Sequence, residues 1–343
     1  MTLEGSGRRT IARTRSNRAR IVRMILSWGG LLVSAVFAYL AVRNVSFAAV
    51  WQGLRTSNYW WLVPALGMLA LTVVIRALRW RYIFRRETRP AVAPVVNALL
   101  VSYFFNSILP ARAGEAARIV VLRRRAGTSA AETTATVVIE RAYDVVCLLA
   151  LLFVSVPWLP PVAWLHAAIV LALALALGLA IAVVGLAVYG ARPLRVALRP
   201  LARLPFFSRE RLDEIAENLA HGLAALRSPR LALGALFWTT LGWLTLAVST
   251  WFVMLGFSLH VSLVAGLFVV IATNLAMILP SSPSAIGVFE AAVLVALRPY
   301  GITDSQALSY AFVLHALNFV PFVAAGFFLL RGAVASGSTE SDS

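Results

Sequence analysis

Asn106 to Glu115 reads NSILPARAGE, and Asn274 to Glu290 reads NLAMILPSSPSAIGVFE. Each stretch runs from an Asn through Ile-Leu-Pro (Ile108 to Pro110, Ile278 to Pro280), across small residues, to a Gly and a Glu. In each, proline breaks an apolar segment at a depth that hydropathy assigns to the membrane, and a carboxylate follows. Proline removes a backbone donor and ends a helix. Interrupted apolar segments at corresponding places in two halves of a chain point to a transporter-type site.

The surrounding composition agrees. The chain has 343 residues, 60% hydrophobic and 13% charged, with mean hydropathy +0.83. Soluble proteins carry roughly 25% charged residues. The net charge is +17, but it lies in blocks between apolar segments and does not form one basic face. That distribution argues against nucleic acid and for a membrane protein. The single cysteine, Cys147, lies in an apolar segment. An internal disulfide is therefore excluded, as is a Cys-rich metal site.

A span needs about 20 apolar residues. Six stretches qualify: 24–42, 59–75, 133–156, 162–189, 232–256 and 305–330. Two more are apolar but interrupted. Residues 91–109 contain Pro94, Asn97 and Asn106, and residues 261–297 contain Asn274, Pro280 and Pro283.

Arginine orients these segments. Seven lie in 1–23, six in 76–89, five in 112–125 and eight in 192–230. The loops 157–161 and 257–260 hold none. By the positive-inside rule the basic stretches are cytoplasmic. Both flanks of 91–109 are then inside, so this segment enters and returns. Both flanks of 261–297 are outside, so it enters from the other face. Non-helical backbone is tolerated at membrane depth only inside protein or beside a wet cavity. The expected fold is an all-α polytopic membrane protein with six spanning helices and two re-entrant hairpins, arranged as an inverted-topology repeat. A pair of true spans at either hairpin stays open.

The expected units are a basic cytoplasmic tail at 1–23, a first repeat at 24–156 and a second at 162–331. A cytoplasmic link at 190–230 interrupts the second repeat, and a disordered tail fills 332–343. The link holds a helix pattern from Ser208 to Leu226, with Leu212, Ile215, Leu219, Leu223 and Leu226 on one stripe. Such a stripe suits either a membrane surface or packing on neighbouring loops.

Ionisable groups at membrane depth cost about 2.5–3.5 kcal/mol each on insertion scales. Glu140, Arg141 and Asp144 nevertheless sit inside the span 133–156. Glu140 and Asp144 share a helix face, and Arg141 can pair with Asp144. Either they dock a hairpin or they hold an anionic headgroup. Glu115 and Arg118 lie on one turn after the first break. Glu290 repeats the Glu115 position with no cation near it in sequence, so it needs a partner across the bundle. Asn106 and Asn274 are placed to bond free backbone at the breaks. His315 and Asn318 share a helix face, and the bland reading of this histidine is a satisfied buried one. Arg76, Arg79 and Arg81 alternate with Trp80 and Tyr82 directly after a span. That pattern reads as an interfacial anchor to anionic lipid. No phosphate-binding GxxxxGK, HExxH or GxSxG motif occurs.

The run ILPARAGEAARIVVLRRRAGTSAAETTATVVIERAYDVV resembles the first signature of the flippase-like membrane region of lysylphosphatidylglycerol synthases and related free-standing proteins. The matching positions are Pro110, Gly114, Glu115, Arg118, Glu140, Arg141 and Asp144. ILPSSPSAIGVFEAA resembles the second signature through Pro280, Pro283, Gly287 and Glu290. The chain departs from that pattern at Ser284 and Ala285, where the family has Gly, and at His315, where it often has Arg. The resemblance implies a lipid translocator without the soluble aminoacyl-transferring domain. Its substrate would be an anionic or modified phospholipid, or a polyprenyl-phosphate-linked lipid. Glu115, Arg118, Glu140, Arg141, Asp144 and Glu290 would contact it. No metal, cofactor or nucleic acid is expected, and self-association is left open. An intramembrane transferase with Glu115 or Glu140 as general base, or an accessory protein for envelope lipid synthesis, are the competing readings. The expected location is a cell membrane of the prokaryotic inner-membrane kind, with both termini cytoplasmic.

Overall fold

The computed structural model describes residues 29–109, 113–160, 189–203, 209–210, 212–217, 229–277 and 282–339, together with 170, 174, 177 and 178. Among the described residues the regular structure is helical. Helix α1 (Gly29–Val42) bends by 82° into α2 (Phe47–Thr56). Ser46 caps α2 by accepting from Ala49 N–H. A short turn, Tyr59–Trp61, leads into α3 (Leu62–Ile83). Then follow α4 (Val92–Ile108), α5 (Gly114–Ala126) and α6 (Ala130–Ser155). After the described link helix α7 (Arg192–Leu198) come α8 (Pro229–Gly256), α9 (Leu263–Ala276), α10 (Val288–Leu297) and α11 (Asp304–Thr339).

Three segments are long and apolar enough to cross a membrane, namely Tyr59–Ile83, Arg230–Gly256 and Asp304–Arg331; the bent pair α1–α2 makes a fourth if counted as one span. Large apolar side chains on these helices face outward, among them Val63, Leu233, Phe237 and Phe328. A soluble protein rarely leaves such patches bare, whereas lipid covers them. With these apolar helices the chain is a multi-pass, all-α membrane protein. Helix α6 has the length of a span, 26 residues, but its charged side chains lower its hydropathy. The expected span 162–189 lies almost wholly outside the described residues.

Helices α3 and α8 pack along each other most extensively among the described elements. Ser249 Oγ donates to the Ala65 carbonyl at 2.8 Å, and Tyr310 OH on α11 donates to Thr250 O at 3.2 Å. Small hydroxyl residues at such seams let helices approach and satisfy each other's backbone. One apolar core joins α3, α8, α9, α10 and α11 through Leu69, Trp243, Ile271, Leu294 and Leu314. A second joins α3 to α6 through Trp80, Phe84, Leu99, Leu122 and Val137.

The first hairpin differs from the expected one. Residues 92–108 form one continuous helix through Pro94 and Asn97, and the next helix begins at Gly114. Pro94 is tolerated because it sits in the first turn, where its missing N–H has no intrahelical acceptor. The returning arm is the basic segment α5, which the Arg pattern assigned to a cytoplasmic loop. Arg123, Arg124 and Arg125 stay exposed at its far end, while Arg118 is buried. Likewise α9 and α10 flank the second break. Pro110 and Pro280 themselves lie outside the described residues, whereas Pro283 opens a single turn, Pro283–Ala285.

Two further differences concern the ends. Helix α2 has no counterpart in the expected elements. Helix α11 runs on to Thr339, beyond position 332 where the polar tail was expected to lose structure. Of the expected link helix, 209–210 and 212–217 are helical, with Leu212 and Ala216 buried. Leu219, Leu223 and Leu226 lie outside the described residues.

Candidate polar site at the hairpin tips

Glu140, Arg141 and Asp144 occupy neighbouring turns of α6, and two other elements bring partners to them. Arg79 of α3 forks between both carboxylates: Nη2 lies 2.9 Å from Glu140 Oε1 and Nη1 2.5 Å from Asp144 Oδ1. Arg118 of α5 reaches Glu140 Oε2 with Nη1 at 3.2 Å and Glu115 Oε2 with Nη2 at 2.5 Å. Arg141 touches Glu140 at 3.0 Å, Glu115 at 3.3 Å and Asp144 at 3.3 Å. Of the six expected contact residues, five therefore belong to one network.

The network has a dry end and an open end. Side-chain exposure is 3% for Arg79, 1% for Arg118 and 4% for Glu140, but 26% for Glu115 and 44% for Arg141. Trp80 supports the dry end. Its indole N–H donates to Thr136 Oγ1 at 3.0 Å, and its ring lies 4.7 Å from the Arg118 guanidinium. Arg79 and Trp80 are thus core residues, and the expected lipid-facing belt is corrected for both: helix rotation points them at α6. A fourth cation, Arg76, stands one turn away. Its guanidinium lies 4.9 Å from the Trp243 ring centroid and 3.4 Å from Tyr103 OH, and it forms no ion pair among the described residues. Among the described residues four guanidinium groups thus stand with three carboxylates. The Nε atoms of Arg79 and Arg118 are buried without an acceptor among the described residues. Donors outnumber acceptors, which is the chemistry that receives an anion.

Asn106 takes the expected backbone role at the first break. Its Oδ1 accepts from Gly114 N–H at 2.8 Å and so caps α5. Asn274 does not mirror it, because its amide donates to Val270 O within its own helix.

Glu290, the sixth residue, finds its partner in His315 of α11. Glu290 Oε1 lies 2.5 Å from His315 Nδ1, and Oε2 accepts from Gly287 N–H at 2.7 Å. His315 Nε2 lies 3.0 Å from the Ser284 carbonyl. The turn that carries this carbonyl also meets the first hairpin: Ser284 Oγ donates to Ser107 O at 2.7 Å. The end of α4 and the 283–285 turn therefore touch, with the arginine network beside the first and the Glu290–His315 pair behind the second. Arg79, Arg76 and His315 were not singled out as site residues in the sequence. The missing signal is helix rotation: Arg79 and Asp144 lie 65 residues apart and meet only through the packing of α3 on α6.

A family model described as the lysylphosphatidylglycerol synthase TM region matches residues 27–326. The chain is 25% identical over 223 residues to a protein of Methanocaldococcus jannaschii described as a UPF0104 membrane protein, covering 65% of this chain and 91% of that one. It is 26% identical over 337 residues to the glycosyltransferase AglD of Haloferax volcanii, covering 88% of this chain. It spans about half the length of that relative, 53%.

Proposed function

Since the chain belongs to the family of the lysylphosphatidylglycerol synthase TM region, we propose that it moves a lipid with an anionic headgroup across the bilayer. The observation that carries this reading is the buried network at the first hairpin tip, with its excess of guanidinium and its open edge at Arg141 and Glu115. Charges at such depth are rare and face pathways or partners. A phosphate entering at Arg141 would exchange its hydration for bidentate guanidinium contacts, while the acyl or polyprenyl tails stay in lipid.

The architecture we propose for lipid movement is six spans and two re-entrant hairpins in an inverted repeat, residues 24–156 and 162–331, with both termini cytoplasmic in a cell membrane. Helix length supports the hairpins. Helices α4, α5, α9 and α10 have 17, 13, 14 and 10 residues. At about 1.5 Å per residue each falls short of the ~30 Å hydrocarbon core. Element order supports the repeat: α3 to α6 and α8 to α11 each run long helix, shorter helix, break, short helix, long helix.

The test is reconstitution of the purified chain in vesicles that carry fluorescent phosphatidylglycerol, with a membrane-impermeant quencher outside. Accelerated loss of inner-leaflet fluorescence is the expected result. Rates equal to protein-free vesicles, for phosphatidylglycerol and for a polyprenyl phosphate alike, would reject the proposal. The glycosyltransferase named among the relatives motivates a second reading, transfer of a sugar on a lipid carrier. Glu140 suits a general base poorly, because ion pairs engage both its oxygens. Mass analysis of the same lipids after incubation with sugar-phosphate donors separates the two readings.

A further inference from the structure

His315 makes two hydrogen bonds whose roles are fixed by their partners. The Ser284 carbonyl can only accept, so Nε2 carries a proton. Nδ1 faces Glu290 Oε1 at 2.5 Å, and this contact needs one proton between the two atoms. Whether that proton sits on nitrogen or oxygen, the pair holds one more proton than a carboxylate beside a neutral imidazole. Removing it leaves two lone pairs facing each other at Nδ1 and Oε1. Shifting the remaining proton to Nδ1 instead leaves Nε2 facing the Ser284 carbonyl. Either way, one of the two bonds to α11 is lost.

The surroundings make that loss mechanical. Ser284 and Ala285 have φ of 62° and 55°, a left-handed conformation that costs residues with a side chain. Among the described residues three ties hold the turn to other helices: Ser282 N–H to Ser34 Oγ on α1, Ser284 Oγ to Ser107 O on α4, and Ser284 O to His315 on α11. Only the third can titrate. Helices α1, α4 and α9 carry no Asp, Glu, Arg or His within their described bounds, and their tyrosines are elsewhere: Tyr39 is exposed and Tyr103 lies against Phe322. On α10 Glu290 is the only ionisable residue. On α11 the others are engaged elsewhere, Asp304 with Arg298, Tyr310 with Thr250 O and Arg331 over Phe327. Phe289 and Phe319 lie against the His315 ring.

We propose that Glu290 and His315 form a proton-binding site that latches the second hairpin tip to α11 and releases it on deprotonation. Resting on the translocation reading above, this makes the proton the ion whose binding is linked to lipid movement. Because Ser284 also bonds Ser107, release frees the contact between the two hairpin tips. The site takes one proton and no other ligand.

The experiment uses the full chain in phosphatidylglycerol and phosphatidylethanolamine vesicles, with Cys147→Ser and Val288→Cys. Val288 is fully buried beside the latch. Maleimide labelling is followed from about pH 5 to about pH 9 and divided by the rate at Ser258→Cys, an exposed position, which removes the thiol's own titration. The normalised rate should rise about tenfold per pH unit until the latch is open, the slope of a single proton. His315→Gln and, separately, Glu290→Gln should each abolish the pH dependence, since an amide bonds without titrating. A flat normalised rate with the pair intact, or an unchanged slope in both variants, would overturn the proton site. Fluorescent phosphatidylglycerol movement is measured in the same vesicles. If labelling titrates while no lipid moves at any pH, the latch stands and the translocation reading falls.

Discussion

Arg79 holds two carboxylates of α6 at once, and its guanidinium is as buried as theirs. Replacing it with Met takes one buried partner from each of Glu140 and Asp144, and leaves Asp144 with the half-exposed Arg141 alone among the described residues. Breaking a buried pair by removing one partner costs about 3–5 kcal/mol, so Arg79→Met should lower the thermal midpoint strongly, as read by fluorescence-detected gel filtration. Arg141 contrasts with it. It touches three carboxylates but is nearly half exposed, and exposed pairs contribute about 0–1 kcal/mol. Arg141→Ala should therefore melt within a few degrees of the parent yet lose phosphatidylglycerol movement. A parent-like rate would remove Arg141 from the headgroup path. The sequence shows Arg141 because it shares a helix with Glu140 and, at spacing i and i+3, with Asp144. It hides Arg79, because alternation with Trp80 and Tyr82 after a span looks the same whether the face meets lipid or α6. His315 is hidden for the same reason, since its tie to Glu290 crosses between α10 and α11.

The breaks between helices were legible and the arms beside them less so. The Ile-Leu-Pro runs downstream of Asn106 and Asn274 mark both breaks, and Gly114 and Gly287 open the helices that follow. Hydropathy misplaces the first return, because its second arm, α5, is basic and apolarity alone ends at Leu109. It also misses α2, which lies after an 82° bend and is too short to read as a span. Backbone requirements at the second break give two opposed expectations. Gly287 has φ of 86°, and a Cβ there would press on Ser34 O and Ala38 N of α1. Gly287→Ala should cost about 2 kcal/mol or more, from a disfavoured conformation and the displaced helix. Ala285 holds φ of 55° with a side chain present. Ala285→Gly should stabilise by about 0.5–1 kcal/mol, the left-handed penalty less the entropy of the freer chain. Thermal melting of both variants checks the pair. Destabilisation by Ala285→Gly would mean that its buried methyl packing outweighs the strain.

Over the whole molecule, α3–α6 and α8–α11 follow the same element order, α3 packs along α8, and the end of α4 meets the 283–285 turn at Ser107 and Ser284. Arginine asymmetry predicts the orientation of the halves. With Cys147→Ser, a cysteine at Ser129 should label only after the membrane is opened, and one at Ser258 should label from outside intact cells; the reverse pattern would reject the inverted arrangement. The tip contact then makes a demand on the transport cycle. If lipid passes by rocking one half against the other, a point where the two hairpins touch cannot stay closed throughout. The Ser284 hydroxyl lies 2.7 Å from the Ser107 carbonyl, so cysteines at these two positions are brought close enough to test for a disulfide, which forms only if their Cα atoms lie about 4.4–6.8 Å apart. Oxidation of Ser107→Cys with Ser284→Cys, again without Cys147, should stop phosphatidylglycerol movement, and a reductant should restore it. Each single cysteine controls for loss of the hydroxyl or of local packing. Unimpeded movement in a protein shown by gel shift to be fully cross-linked would mean that the headgroup passes without separating the tips. The path would then run along the open edge at Glu115 and Arg141 alone, and the two halves would have no reason to move against each other.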